Sequence, residues 1–269
     1  MSTDRLRPDV IGFNSVVDAC RRQSSWESGL ALLEDMSVHR VSPDAITIAT
    51  AMAACKGHEG GDDHWELSLE IFERYTRSID PNIVLFNSAI SAADRGAQWK
   101  LGIHYLERLQ KSNLHPTVVT YGAIAQALQR GQEWAHCLSL LDAMKRASLE
   151  PNAAVSTSII TACGEATAWE AALTVFGKLT RNGRPDMGTI IATMTAAGEG
   201  RRWDIALDLL NSLKRHGLEH REQEVLSTLL RIVTASGPGA LTASQSLLRS
   251  MTRRAAQAAA ARGGGGAGG

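Results

Sequence analysis

Six tryptophans stand at Trp26, Trp65, Trp99, Trp134, Trp169 and Trp203, separated by 39, 34, 35, 35 and 34 residues. Tyrosine and phenylalanine occur only three and four times, so the spacing is no by-product of aromatic abundance. A fixed period of this length marks a chain of small supersecondary units, none of which can bury its hydrophobic face alone. Stacking in sequence order then supplies the core. Aligned on the tryptophans, the units run 10–44, 45–82, 83–117, 118–152, 153–186 and 187–221.

Unit 118–152, "VVTYGAIAQALQRGQEWAHCLSLLDAMKRASLEPN", shows the internal plan. Val118, Tyr121, Ile124, Ala125 and Leu128 repeat at helical spacing. Gly131 at the fourteenth position, matched by Gly96 and Gly200, predicts a helix end closed by C-cap chemistry. A second helix is predicted over 134–145, with Leu138, Leu141 and Met144 on one stripe, and Pro151 forbids its continuation. Each unit is thus two antiparallel helices joined by a turn. The twentieth position is small throughout (Gly29, Ser68, Gly102, Cys137, Ala172, Ala206) and large apolar residues follow it, a pattern that lets neighbouring helices interdigitate. The tryptophans are expected to wedge between units in the second-helix layer, Trp134 withdrawing about 150–250 Å² from water.

Composition narrows the function classes. Formal net charge is +0, which argues against nucleic-acid binding by bulk charge. Four cysteines, none in a C-x-x-C pair, argue against a zinc site or disulfide framework. No apolar run approaches the roughly 18 residues of a membrane span. The opening "MSTDRLRPDV" lacks the length of a transit peptide. Its "LRPD" reads residues 1–9 as the end of a preceding repeat or an N-terminal extension. Residues 222–254 read as a degenerate seventh repeat or cap, and 255–269 as a flexible Ala/Gly-rich tail. The insertion "KGHEGGDDHW" (56–65) has the donor types of a divalent-metal site, but a polar surface loop is the expectation. No cofactor or metal is expected. A zinc deaminase needs H-x-E with P-C-x-x-C, absent after residue 221, and no nuclease-like carboxylate cluster is evident, so the chain is not expected to be an enzyme.

Thirty-five-residue hairpins that open with "VTYG" or "IGFNSVV" and close with "SPD", "EPN" or "RPD" resemble pentatricopeptide repeats of the P-type array. The resemblance spans residues 10–221 in six units. Tetratricopeptide repeats have a similar period, but here tryptophan opens the second helix and the unit closes on proline followed by Asp, Asn or Thr. The recurrent tryptophan resembles members from single-celled algae and protists. The resemblance implies an all-α, right-handed α-solenoid of helix-turn-helix repeats of about 35 residues. It also implies a concave groove, lined by the first helices, that binds single-stranded RNA one base per repeat. It further implies a monomer acting without catalysis on a chloroplast or mitochondrial transcript, with RNA-processing proteins as possible further partners.

Site residues follow from the same resemblance. The fifth and last residues of a unit would read one base. Asn14 with Asp44 matches the uracil pair, Thr157 with Asp186 the guanine pair, and Asn87 with Thr117 a pyrimidine. Ala49 with Asn82 and Gly122 with Asn152 lack a hydrogen-bonding group at the fifth position, and Ile191 with Arg221 fits no pair. The register is U-N-Y-N-G. Ile11, Ile46, Val84 and Val119 at the second position would press on base faces or else pack at the helix start, while Ala154 and Gly188 depart from that pattern. Arg22, Arg95 and Arg130 at position thirteen would contact phosphate, where Glu165 and Glu199 would repel it. A protein-binding helical scaffold without RNA affinity is the alternative, favoured by the neutral charge and by the fifth positions that lack a polar group.

Overall fold

The computed structural model describes residues 10–23, 25–57, 63–182 and 186–202, with a few positions between 204 and 232. Residues 1–9, most of the insertion, Trp203, Arg221, the seventh-repeat segment beyond isolated positions and the 255–269 tail lie outside the described residues. All described regular structure is α-helical. The helices are α1 (Val10–Arg22), α2 (Trp26–Val38), α3 (Ala45–Ala54), α4 (Trp65–Tyr75), α5 (Ile83–Arg95), α6 (Trp99–Lys111), α7 (Val118–Arg130), α8 (Trp134–Arg146), α9 (Ala153–Glu165), α10 (Trp169–Asn182) and α11 (Met187–Glu199). Among the described residues, no helix is long and apolar enough to cross a membrane.

The chain divides into two compact units, 1–162 and 163–269. In the first, α1, α3 and α5 each pack on the even-numbered helix that follows and on the next odd-numbered one, and α7 packs on α8, so that α1, α3, α5 and α7 form a continuous layer. Each even-numbered helix from α2 to α6 also touches the first helix of the next unit. In the second unit, α10 packs on α11.

A tryptophan opens each even-numbered helix, and the packing explains both it and the glycine at position fourteen. A Cβ built on Gly131 lies 2.5 Å from Trp99 Cδ1, and Gly96 and Gly200 are covered as closely by Trp65 and Trp169. The tryptophan of one unit therefore lies flat on the glycine of the next. These glycines stand at the helix C-caps, as expected, though without a left-handed backbone. Gly96, Gly131 and Gly200 have φ near −79°, −78° and −75°, and the left-handed conformation falls one residue later, on Ala97, Gln132, Thr167 and Arg201. Closeness of approach, not backbone freedom, excludes a side chain there.

Two expectations are corrected. Trp134 is 36% exposed and is not withdrawn from water as expected. The stripe of α8 is also rotated: Cys137, Leu140 and Met144 are buried, while Leu138 and Leu141 are half-buried. Burial follows the helix side that meets α7, and hydrophobicity alone did not mark that side.

Candidate functional site

Among the described residues, the last residue of each of the first five units caps the following helix. Asp44, Asn82, Thr117 and Asp186 stand at N-caps with extended backbone, and their side chains accept from the backbone N–H three residues on. Asn152 does the same for Val155, at 3.0 Å. Short polar side chains favour this position because they satisfy an otherwise orphaned N–H, and the preceding proline ends the chain's approach. The cap pins the side chain at the head of a first helix, next to the first turn that carries the second and fifth residues.

The second residues of α1, α3, α5 and α7 are open to solvent. Ile11, Ile46, Val84 and Val119 are 74%, 60%, 48% and 68% exposed, more than half of the exposed large apolar residues described. Helix-start packing therefore does not account for them. Their four helices are adjacent in one layer, so they form a row. Single exposed aliphatics need no explanation, but a row at one repeat position does.

Two fifth-position residues join this row through a residue the sequence reading did not single out. The Thr47 hydroxyl donates to Asn14 Oδ1 and lies 2.7 Å from Asp44 Oδ1. The Thr120 hydroxyl donates to Asn87 Oδ1 at 2.7 Å and lies 3.2 Å from the Thr117 hydroxyl. Asn14 is thereby brought to Asp44, and Asn87 to Thr117. Burial works against ionisation of the Asp44 carboxyl, but the Thr47 N–H, the Thr47 hydroxyl and the Asn14 amide together hold its pKa below the usual value. Thr47 and Thr120 are fully buried; a threonine where packing calls for an aliphatic side chain was the available signal. The neighbouring units lack this link. Ala49 is buried, Asn82 is bonded to the Leu85 N–H, and Gly122 faces the Val155 methyl. Thr157 lies half-buried on α9, and Asp186 caps α11.

Each of the three arginines has a carboxylate partner. Arg22 and Arg21 both bind Asp18, and Arg22 keeps 74% of its side chain exposed. Arg95 is largely enclosed, bonding Asp63 at 3.0 Å and the Ser68 hydroxyl at 3.1 Å. Arg130 is 53% exposed and stands 3.4 Å from Asp94 Oδ1, a charge contact without hydrogen-bond geometry. Burial raises the Asp94 pKa, with Arg130 and Arg95 opposing it. Two of the arginines are thus reachable by an anion, and the third is tied to the preceding hairpin. Glu165 and Glu199 are exposed.

Groups for covalent or metal chemistry do not converge here. The four cysteines are buried and free, and burial pushes the Cys163 thiol up to about 11, away from nucleophilic thiolate. No group of three or more His, Cys, Asp or Glu among the described residues is placed to hold a metal. Of the insertion, His64 lies against Trp26 with ring centroids 4.8 Å apart and planes tilted by 50°, and Asp63 takes Arg95.

The sequence profile of the PPR repeat matches residues 11–41, and that of the pentatricopeptide repeat domain matches residues 70–130. The chain carries pentatricopeptide repeats. A chloroplastic pentatricopeptide repeat-containing protein of Arabidopsis thaliana is 23% identical over 113 residues, 41% of this chain and 10% of the relative, so the chain spans about a tenth of that relative's length. The crystal structure of the pentatricopeptide repeat protein PPR10 from maize shares the fold. Its TM-score is 0.60 at 23% identity, over 86% of this chain and 35% of PPR10. PPR10 in complex with an 18-nt psaJ RNA element aligns with a TM-score of 0.58 at 13% identity, over 89% of this chain and 40% of PPR10.

Proposed function

We propose that the exposed row of the first-helix layer binds single-stranded RNA, without catalysis, as a monomer acting on an organellar transcript. One observation carries the reading. Four adjacent helices carry a solvent-exposed aliphatic residue in the first turn, and two of them hold an amide joined, through a threonine of the next unit, to the capping side chain that ends their own unit. An aliphatic surface beside a fixed polar pair is what a nucleotide base requires, since its face is apolar and its edge is not. The bound RNA of PPR10 and the chloroplastic name of the Arabidopsis relative support the substrate class and the compartment.

Within this reading Asn14 with Asp44 takes uracil and Asn87 with Thr117 a pyrimidine. The pairs Ala49–Asn82 and Gly122–Asn152 carry little preference. Ile11, Ile46, Val84 and Val119 contact base faces. Arg22 and Arg130 exchange their carboxylates for phosphate, and Arg95 contributes least. Affinity is modest, because each phosphate contact must first displace an internal partner. The carboxylate-paired arginines are also the observation that favours a protein-binding scaffold instead. Selection from a random RNA pool at controlled salt separates the two. Enrichment of U-N-Y is expected, with affinity falling as salt rises. No enrichment over a protein with scrambled repeats overturns the RNA reading.

A further inference from the structure

We propose that Thr47 and Thr120 are positioning residues for base choice: each hydroxyl, supplied by the following unit, binds the carbonyl end of a fifth-position asparagine and so fixes the direction of its amino end. At Asn87 that end is left for the ligand, and at Asn14 it is shared with the Asp44 carboxylate. This inference rests on the RNA reading above. An asparagine amide is nearly symmetric in shape but not in chemistry, with an acceptor at one end and two donors at the other. Left alone, it turns over and satisfies a base edge of either polarity, so it discriminates poorly. A buried hydroxyl bonded to Oδ1 removes that freedom. The amino end is then presented, and a base atom that accepts is favoured over an exocyclic amino group that donates.

Three features of the molecule support the assignment. Both threonines are fully buried, so they act through the half-buried asparagines and not on a nucleotide directly. Among the first five units, a third-position threonine follows each fifth residue with a polar side chain, Thr189 following Thr157 as well, and neither of the two that lack one. Asn14 is met by Thr47 and Asn87 by Thr120, whereas the units with Ala49 and Gly122 are followed by Leu85 and Val155 at the same position. The two relays also differ in strength. Thr117 can donate to Thr120, which frees the Thr120 proton for Asn87. Thr47 has one proton for two oxygens, Asp44 Oδ1 and Asn14 Oδ1. Asn87 is therefore the more firmly directed of the two.

The test compares Thr120→Val and Thr120→Ser in the full chain, measuring affinity for four RNAs that differ at a single nucleotide. Thr120→Val is expected to flatten the preference at that nucleotide by about tenfold, the effect of one charge-neutral hydrogen bond and a misplaced donor. Thr120→Ser retains the preference, and Thr47→Val shows a smaller change at its own nucleotide. In the RNA-free protein, the Asn87 side-chain amide signals shift and exchange faster in Thr120→Val and not in Thr120→Ser. Gly122→Asn alone is expected to add no preference, while Gly122→Asn with Val155→Thr adds one; a Cβ at Gly122 meets only the Val155 methyl, at an ordinary 3.7 Å. An unchanged preference in Thr120→Val, or equal weakening for all four RNAs, overturns the relay while RNA binding stands. If the unaltered protein binds none of the RNAs, the RNA reading falls and the relay with it.

Discussion

Two rows run along the repeats with the same period and opposite fates. Trp65 and Trp99 lie on Gly96 and Gly131 of the next unit, closing a seam between hairpins. Ile46, Val84 and Val119, smaller and less hydrophobic in total area, stand open to solvent at the heads of the first helices. Periodicity alone assigns no role to either. The row that has found its partner inside the chain serves stability, and the row left without one is available for a ligand. The tryptophans draw attention in the sequence and carry the scaffold, while the aliphatics mark the interface.

Perturbing the seam tests the comparison most strongly. Gly131→Val drives side-chain atoms into the Trp99 ring, since even a Cβ lies 2.5 Å away, and should cost about 3 kcal/mol in urea unfolding. Trp99→Ala should cost roughly 2 kcal/mol, the ring being only half-buried. Combining Gly131→Val with Trp99→Ala should recover part of the loss, because the two share one contact. Strictly additive costs would break the seam. The aliphatic row should behave the other way. Ile46→Ser with Val84→Ser should leave the unfolding midpoint within about 0.5 kcal/mol and weaken RNA binding by roughly tenfold, the transfer energy of two partly covered side chains. A change in stability without a change in affinity would place these residues with the tryptophans.

Smaller effects sharpen the electrostatic side. Burial lifts the Asp94 pKa above its unfolded value of 3.8, so the native state holds the proton more tightly than the unfolded chain. That contribution to stability is complete below the unfolded pKa and is lost as pH rises through the higher folded value. Asp94→Asn should remove the decline and gain about 0.5–1 kcal/mol at neutral pH, since Asp94 Oδ1 has no hydrogen-bond partner. It should also release Arg130, steepening the salt dependence of RNA binding by about 0.7 in log–log slope for one added phosphate contact. A flat pH profile in the unaltered protein would contradict the burial of this carboxylate. The least effect is expected at Thr167, a β-branched residue at φ 57°. Thr167→Gly should raise stability by about 0.5 kcal/mol, relief of left-handed strain outweighing the entropy cost.

What could be read from the sequence, and what could not, follows from the range of the interactions. Helix pairs, turns and the heads of the first helices are set by residues within one unit, where spacing of apolar side chains and the proline before each cap are sufficient signals. The positions of Asn14, Asp44, Asn87 and Thr117 were legible for that reason. The capping role of Asp44 and Thr117 was legible too, because Asp, Asn or Thr before an apolar-periodic run is an N-cap pattern, yet the resemblance drew attention to base reading alone. The contacts that join units cross almost a full repeat. Asn14 meets Thr47 and Asn87 meets Thr120 across 33 residues, Arg95 meets Asp63 across 32, and Arg130 meets the Asp94 carbonyl across 36. No local pattern announces these pairings, so the arginines looked like free charges and the threonines like ordinary helix-start residues.

By itself the sequence determined the period, the all-helical hairpin and the placing of polar and aliphatic side chains at the head of each first helix, because helix geometry repeats every few residues and needs no distant partner. The tertiary structure decided which members of each row are satisfied. It seats Trp99 on Gly131 and leaves Trp134 exposed, ties Arg95 to Asp63 and leaves Arg22 and Arg130 reachable, and aims Asn14 and Asn87 while Ala49 and Gly122 stay blank. Burial and hydrogen bonding are properties of pairs, and the partners here are supplied by the neighbouring repeat.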